Sequence, residues 1–393
     1  MEIEGFFTSA VAAGIKYKER LDLGLIYAKE PVVTAGVFTK NKVIAAPLVL
    51  DIERLKQGRA QAILVNSGCA NACTGEQGME ACRVTSKMLA DRLEMSEEMV
   101  QVSSTGVIGE QLNLDAFTKA IPRLTESLGP DNFEEVAQAI MTTDTVKKTV
   151  CRSVTIGDKE IKFMAMAKGS GMIMPNMATM LAFVLTDAQI GFFELNSALK
   201  TAVEKTFNRI TVDGDTSTND MVLVMANGKA ENHWIEEVGS AEYDAFSSAL
   251  LSVLKDLALM IVSDGEGATK IITFKVNGAK EKADALQIGK TIANSSLVKT
   301  AFFGEDANWG RIFAAMGRSG VKFNPDLVDI YFDDVKIVQG GMAVGKEAEL
   351  KAEPVLKKRD ICVTIDMKEG SICEEVYTCD FSLDYVKINA DYR

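Results

Sequence analysis

Lys168-Gly169-Ser170-Gly171-Met172-Ile173-Met174-Pro175-Asn176-Met177-Ala178-Thr179-Met180-Leu181 is the stretch on which the reading of this sequence turns. A glycine-rich segment, a proline and then a threonine open onto the apolar run Met180 to Leu185, which has the length of a buried strand. The ordinary reading makes Thr179 a β-branched residue at a strand start and the glycines a tight turn. A second reading makes the Thr179 hydroxyl a nucleophile. At the first position of a chain, a hydroxyl has the free α-amine as its own general base, with an ordinary pKa of about 7.7 to 8.0. Generating that amine inside a longer chain requires breaking the Ala178–Thr179 bond, which the hydroxyl can attack itself, through an ester, if the loop is strained. On these residues alone both readings stand.

Outward from this stretch, short apolar runs alternate with helical periodicity. Val154 to Met166 reads as two strands about a turn at Gly157-Asp158. Val32 to Thr39, Val43 to Leu50 and Gln61 to Val65 read as β-rich runs, the last ending at Asn66-Ser67-Gly68. Gly75 to Leu93, Leu114 to Leu128, Phe133 to Ile140, Phe192 to Asn208 and Tyr243 to Val262 read as helices. The last quarter reads as strands at Leu327 to Phe332, Asp360 to Ile365 and Glu375 to Thr378. The expected fold class is therefore α/β, with mixed sheets and helices.

Bulk properties remove several functions. A chain of 393 residues with 47% hydrophobic and 25% charged residues can bury a large core. Its net charge of -12 makes nucleic acid and anionic membranes poor partners. Neither a basic leader nor a run of roughly 18 apolar residues is evident, so a cytoplasmic protein is expected. Seven cysteines, an odd number, fit reduced thiols better than a disulfide framework.

The single histidine, His233, lies in a polar stretch that reads as a surface turn, which disfavours a Ser-His-Asp or Cys-His triad and excludes a His-rich metal site. Cys69 and Cys73 lack the second pair that a structural zinc site needs and read as two buried thiols; no metal is expected. Gly340 to Lys346 has P-loop spacing, but Glu347 follows where a Ser or Thr hydroxyl is needed. A nucleophile that needs no histidine remains chemically reasonable.

The stretch 168–181 closely resembles the cleavage motif of the glutamate N-acetyltransferase / ornithine acetyltransferase family of arginine biosynthesis. The resemblance runs along the chain. It includes Gly36-Val37-Phe38-Thr39, Asn66 to Gly75, Ser104 to Gly109, Met141 to Thr145, Asp264 to Lys270, Asp306 to Arg311 and Tyr385 to Ala390. It implies the family's self-processing, N-terminal-nucleophile fold, with residues 1–178 as an α chain and 179–393 as a β chain.

It also assigns roles. Thr179 matches the nucleophile, Ala178–Thr179 the processed bond, and Thr105 and Gly106 the oxyanion hole. Thr142, Lys168, Glu266 and Asn389 match substrate positions, where a Lys and a Glu suit a ligand with both a carboxylate and an amine. Met174 stands where many relatives carry histidine, a position on which activation of the nucleophile does not depend. Relatives usually add a final Ser or Thr that contacts substrate; this sequence ends at Arg393, so either it is truncated by one residue or it lacks that contact.

The implied reaction is double displacement: Thr179 takes the acetyl group of N2-acetyl-L-ornithine, and L-glutamate then removes it. No cofactor is implied, although some members accept acetyl-CoA as donor. The partners implied are amino-acid substrates and the second copy of a heterotetramer, α2β2. A self-processing aminopeptidase or amidase with the same nucleophile is the first alternative, and a non-catalytic relative that binds pathway metabolites the second.

Overall fold

A computed structural model describes residues 1–16, 18–174 and 180–390. Its strands in chain order are β1 (Phe6–Val11), β2 (Leu23–Phe38), β3 (Arg59–Asn66), β4 (Val100–Ser104), β5 (Lys148–Ile156), β6 (Lys159–Lys168), β7 (Leu181–Thr186) and β8 (Ile210–Thr211). These are followed by β9 (Met221–Ala226), β10 (Ile271–Ala279), β11 (Asp329–Phe332), β12 (Val335–Gln339), β13 (Met342–Ala343), β14 (Asp360–Asp366) and β15 (Ile372–Cys379). The chain divides into two compact units. The first holds 1–169, 175–208 and 215–261; the second holds 170–174, 209–214 and 262–393.

The first unit is built on a mixed sheet of order β4-β3-β2-β9-β7-β6-β5, with β1 also paired to β2. Its strands β3, β7 and β9 are buried along nearly their whole length, as strands covered on both faces are. Side chains alternate across β3: Ala62 and Leu64 pack with Leu89, Phe117 and Leu124, whose helices are Gly75–Leu93 and Leu114–Glu126. Ile63 and Val65 pack instead with Phe133, Val136, Leu181, Phe183 and Leu223. A continuous apolar run therefore serves two cores at once. The parallel pairing of β3 with β4 is closed through the helix Gly75–Leu93, and it brings the C-terminal ends of both strands side by side, Asn66 opposite Ser104.

The helix Ala241–Ser263 holds an 18-residue window that is, by length and composition alone, apolar enough to cross a membrane. That corrects the expectation from the sequence that no such run exists. Half of this window is buried inside the fold. Phe246, Leu250, Leu254, Leu257 and Ile261 are fully buried, and the Phe246 ring lies 5.3 Å from that of Phe163 on β6. These are the contacts of a core helix.

The second unit carries a sheet of order β13-β12-β11-β14-β10-β15-β8. Here burial alternates residue by residue, as in a sheet with one covered face. Phe274, Val276, Val363, Ile365 and Phe332 face a core completed by Ile288, Phe302, Ile312 and Leu356. Each such side chain contributes roughly 1.5–3 kcal/mol by burial.

Most of the expected elements are present; the differences have local causes. Val43 to Leu50 is not a strand: Ala46–Arg54 is a helix with Pro47 in its first turn, where a missing N–H costs nothing. The last third also contains the helices Lys282–Ala293, Ser296–Phe303, Trp309–Gly317, Lys346–Leu356 and Leu383–Ala390. The glycines of the P-loop-like run turn β12 into β13, and Lys346 begins a helix. His233 is exposed, as expected, whereas Cys73 is exposed rather than buried like Cys69.

Candidate active site

Thr105 and Gly106 lie immediately after β4. The turn they form is fastened to the loop after β3: the Thr105 N–H donates to Asn66 O (3.0 Å) and the Val107 N–H to Gly68 O (3.2 Å). The Ser104 hydroxyl donates to Asn66 Oδ1 at 2.7 Å, and Asn66 Nδ2 donates to Cys69 O at 2.9 Å. Asn219 ties both loops together, its amide donating to Ala70 O (2.6 Å) and Ser104 O (2.9 Å). Gly106 has φ +131°, and a Cβ there would stand 2.3 Å from the Gly68 carbonyl carbon. Only glycine lets the two loops approach so closely. Among the described residues, no acceptor takes up the Gly106 N–H.

Lys168 ends β6 and is almost fully buried rather than solvated. Its Nζ lies 3.4 Å from Thr105 Oγ1 and donates to it, which leaves the hydroxyl proton of Thr105 able to point elsewhere. A hydroxyl and a backbone N–H are thus presented on consecutive residues beside a buried cation. That donor set suits an oxygen acquiring negative charge.

Thr142, half-buried in the loop before β5, is placed by Asp144. The carboxylate accepts the Thr142 N–H at 3.0 Å, the Gly169 N–H at 2.7 Å and Lys148 Nζ at 2.7 Å. Burial would push the Asp144 carboxyl up, but the charges of Lys168 and Lys148 and the Gly169 N–H outweigh it and bring its pKa to about 2. Asp144 therefore stays ionised, a fixed anion holding the backbone beside Thr142 and Lys168. The first unit thus gathers Thr105, Lys168, Asp144 and Thr142 into one network.

In the second unit Glu266 is buried, and its N–H donates to Ser170 O at 3.0 Å. A Cβ on Gly171 would fall 2.4 Å from the Glu266 carboxyl carbon, so glycine is what admits the carboxylate here. Asn389, on the exposed helix Leu383–Ala390, donates to Glu266 Oε2 at 2.8 Å. That helix is held near Gly267 by the Ser382 hydroxyl, which donates to Gly267 O at 2.6 Å. The sequence-predicted pair Glu266 and Asn389 is therefore in direct contact. Ala178 and Thr179 lie outside the described residues, as do Asp391 to Arg393.

Residues 7–393 match the model of the ArgJ family. The chain belongs to the ArgJ family. It is 64% identical, over all of both chains, to the arginine biosynthesis bifunctional protein ArgJ of Desulfotalea psychrophila, and 51% identical, again end to end, to that of Geobacter sulfurreducens. Among solved structures it resembles the arginine biosynthesis bifunctional protein argJ of Bacillus halodurans, with a TM-score of 0.51 and 41% identity. That match covers 53% of this chain and 97% of the other. For an ArgJ-family member, the residues that sequence reading did not single out are the supporting ones: Asn66, Asp144, Lys148 and Asn219. Asp144 lies inside the quoted Met141 to Thr145 motif, and an acid two residues after the threonine that the resemblance matches to a substrate position was the available signal. Nothing local marks Asn219, whose partners lie 115 and 149 residues away.

Proposed function

We propose that this ArgJ-family chain carries an acetyl group from N2-acetyl-L-ornithine to L-glutamate through an acetyl ester on Thr179. The acetyltransferase function in arginine biosynthesis goes with the family; the residue roles are our reading. Its single strongest support is the corner at Thr105 and Gly106, where a hydroxyl and an open N–H stand together on backbone that admits no side chain at Gly106. In this reading Thr179 attacks the acetyl carbonyl, and Thr105 and Gly106 hold the oxyanion. Ornithine leaves as the amine with the proton taken up by the α-amine of Thr179. Glutamate then attacks the ester by the reverse steps, restoring the hydroxyl. No cofactor is needed. Lys168, Thr142, Glu266 and Asn389 hold the amino-acid substrate, and water must be kept from the ester for transfer to win over hydrolysis.

Before turnover the chain would cleave itself between Ala178 and Thr179. The Bacillus halodurans chain, matched over 97% of its own length yet spanning 53% of this one, agrees in size with one fragment, since residues 179–393 make up just over half of the chain. We further propose that the fragments assemble as α2β2 in the cytoplasm, and that acetyl-CoA serves as a second donor, in keeping with relatives named bifunctional. The aminopeptidase alternative is set aside by the end-to-end identity to arginine-biosynthesis proteins.

A denaturing gel should show wild-type fragments 1–178 and 179–393 and an intact Thr179→Ala chain; an intact wild type would sink the cleavage. Mass spectrometry after incubation with acetylornithine should find one acetyl group on the peptide that begins with Thr179. If glutamate yields no acetylglutamate while acetylornithine is hydrolysed, the transferase assignment fails.

A further inference from the structure

Lys299, on the helix Ser296–Phe303 of the second unit, has only 1% of its surface exposed, and the proposed chemistry does not use it. Its Nζ donates to Thr378 Oγ1 at 2.7 Å and to Cys379 O, both uncharged acceptors at the end of β15. The same nitrogen lies 4.5 Å from the centre of the Phe381 ring, and the Phe381 N–H donates to Lys299 O at 3.4 Å. An ammonium held this way has given up its hydration for two neutral oxygens and a ring face. Methionine would fill much the same space without that cost, so filling the core does not explain a lysine here.

The contacts run on from Phe381. Its ring stacks on that of Tyr385, with centroids 4.5 Å apart and planes 16° from parallel. One turn further along the helix Leu383–Ala390, Asn389 Nδ2 donates to Tyr385 O at 3.0 Å, and the same amide donates to Glu266 Oε2 at 2.8 Å. None of the eight residues of this helix is buried. So short a helix is marginal by itself, and it has no core face to fix it. Its position must therefore come from its root, at residues 379–382.

That root is bound on two sides. Toward the loop that carries Glu266, Asp380 Oδ1 accepts the Thr269 and Lys270 N–H groups, both at 2.8 Å, and Oδ2 accepts the Thr269 hydroxyl at 2.5 Å. Gly267 lets the helix come close: its φ is +69°, and a Cβ there would stand 2.5 Å from Tyr385 N. Toward the core, the partner of the root is Lys299, which fastens Cys379 on one side of Asp380 and faces Phe381 on the other. All of these contacts lie within the second unit.

We infer that Lys299 is a positioning residue for the amino-acid substrate: acting through Phe381 and Tyr385, it fixes the helix that carries Asn389 against the loop that carries Glu266. This role rests on the reading of Glu266 and Asn389 as residues that hold substrate. Such a pair serves binding only while both members keep their places, and a small displacement of one is enough to weaken it. Lys299 touches neither substrate nor the reacting atoms in this account. Its loss should therefore appear in KM for acetylornithine and leave the chemical step nearly as it was.

The test compares fully processed wild type, Lys299→Met, Asn389→Ala and the double variant in steady-state assays, with a thermal melt on each. Lys299→Met should raise KM for acetylornithine about three- to tenfold, with kcat within about twofold of wild type. Its melting temperature should stay within about 5 °C of wild type, because methionine keeps the packing. Since Lys299 acts through Asn389, the double variant should have the KM of Asn389→Ala to within about twofold. If Lys299→Met does not fold, Phe381→Leu takes its place; it removes the linking ring at a half-buried position, with the same rise in KM expected. A folded Lys299→Met or Phe381→Leu enzyme with wild-type KM overturns the inference alone, and so do KM effects that multiply in the double variant. An Asn389→Ala enzyme with wild-type KM overturns the substrate reading first, and this role with it.

Discussion

Replacing Thr105 by valine asks the site one question, because valine keeps the volume and branching of threonine and removes only the hydroxyl. Thr105 is nearly buried, and its backbone N–H is already bonded to Asn66 O, so the corner should hold its shape. Two things are lost. The first is the proposed donor to the oxyanion, since the Thr105 hydroxyl accepts from Lys168 at 3.4 Å and keeps its own proton to give. Loss of one such donor costs about 2.7–4 kcal/mol, or roughly 10²- to 10³-fold in kcat. The second is an acceptor for buried Lys168, a loss of about 1–3 kcal/mol that falls on stability or substrate binding rather than on the chemical step. The expected result is a large fall in kcat in both half-reactions, because each passes through a tetrahedral oxyanion, with a smaller change in KM. Self-cleavage should slow too, so the fraction processed must be measured and rates normalised to it. Single-turnover acetylation by acetylornithine, followed by mass spectrometry, isolates the first half-reaction. Thr105→Ser should recover most of the activity. A fully processed Thr105→Val enzyme within about threefold of wild-type kcat would refute the assignment of this hydroxyl to the oxyanion.

Gly106→Ala should fold poorly, since its Cβ would meet the Gly68 carbonyl carbon at 2.3 Å in a backbone conformation unsuited to alanine; a melting temperature equal to wild type would contradict this geometry. Asp144→Asn should lose about 3–5 kcal/mol at neutral pH by stranding Lys148, the two side chains being fully buried in their ion pair. The Asp144 pKa is lowered from 3.8 to about 2, so in the wild type its contribution is complete above pH 3.8 and is lost as pH falls towards 2. Urea melts from pH 7 to 2 should therefore show wild type losing about 2–3 kcal/mol of that advantage in the acid window, and parallel curves would exclude the pairing. Asn389→Ala frees Glu266 Oε2 from its 2.8 Å partner, and a several-fold rise in KM for acetylornithine with kcat nearly intact is expected from steady-state assays.

How far the fold could be read from sequence depended on what each residue answers to. Strands such as Gln61 to Val65 were legible because both faces meet apolar cores, and long helices such as Gly75–Leu93 because periodicity records the one face they bury. Val43 to Leu50 misled because it is apolar and carries the β-branched residues Val43, Ile44 and Val49, while Pro47 in a first turn starts a helix as readily as it ends a strand. The residues that would touch substrate could be carried over by motif, one stretch at a time. Those that hold them could not: Asn219 bridges loops 115 and 149 residues away, and Ser104 reaches Asn66 across 38, separations that leave no periodic trace. Gly106 shows why motif and geometry are both needed. Its glycine is required by the approach of the Gly68 loop whether or not any chemistry occurs there, so its presence alone could not separate an oxyanion hole from a tight corner. What favours the proposed oxyanion hole is its neighbourhood: the hydroxyl of Thr105 and the buried ammonium of Lys168, two more donors than a corner needs.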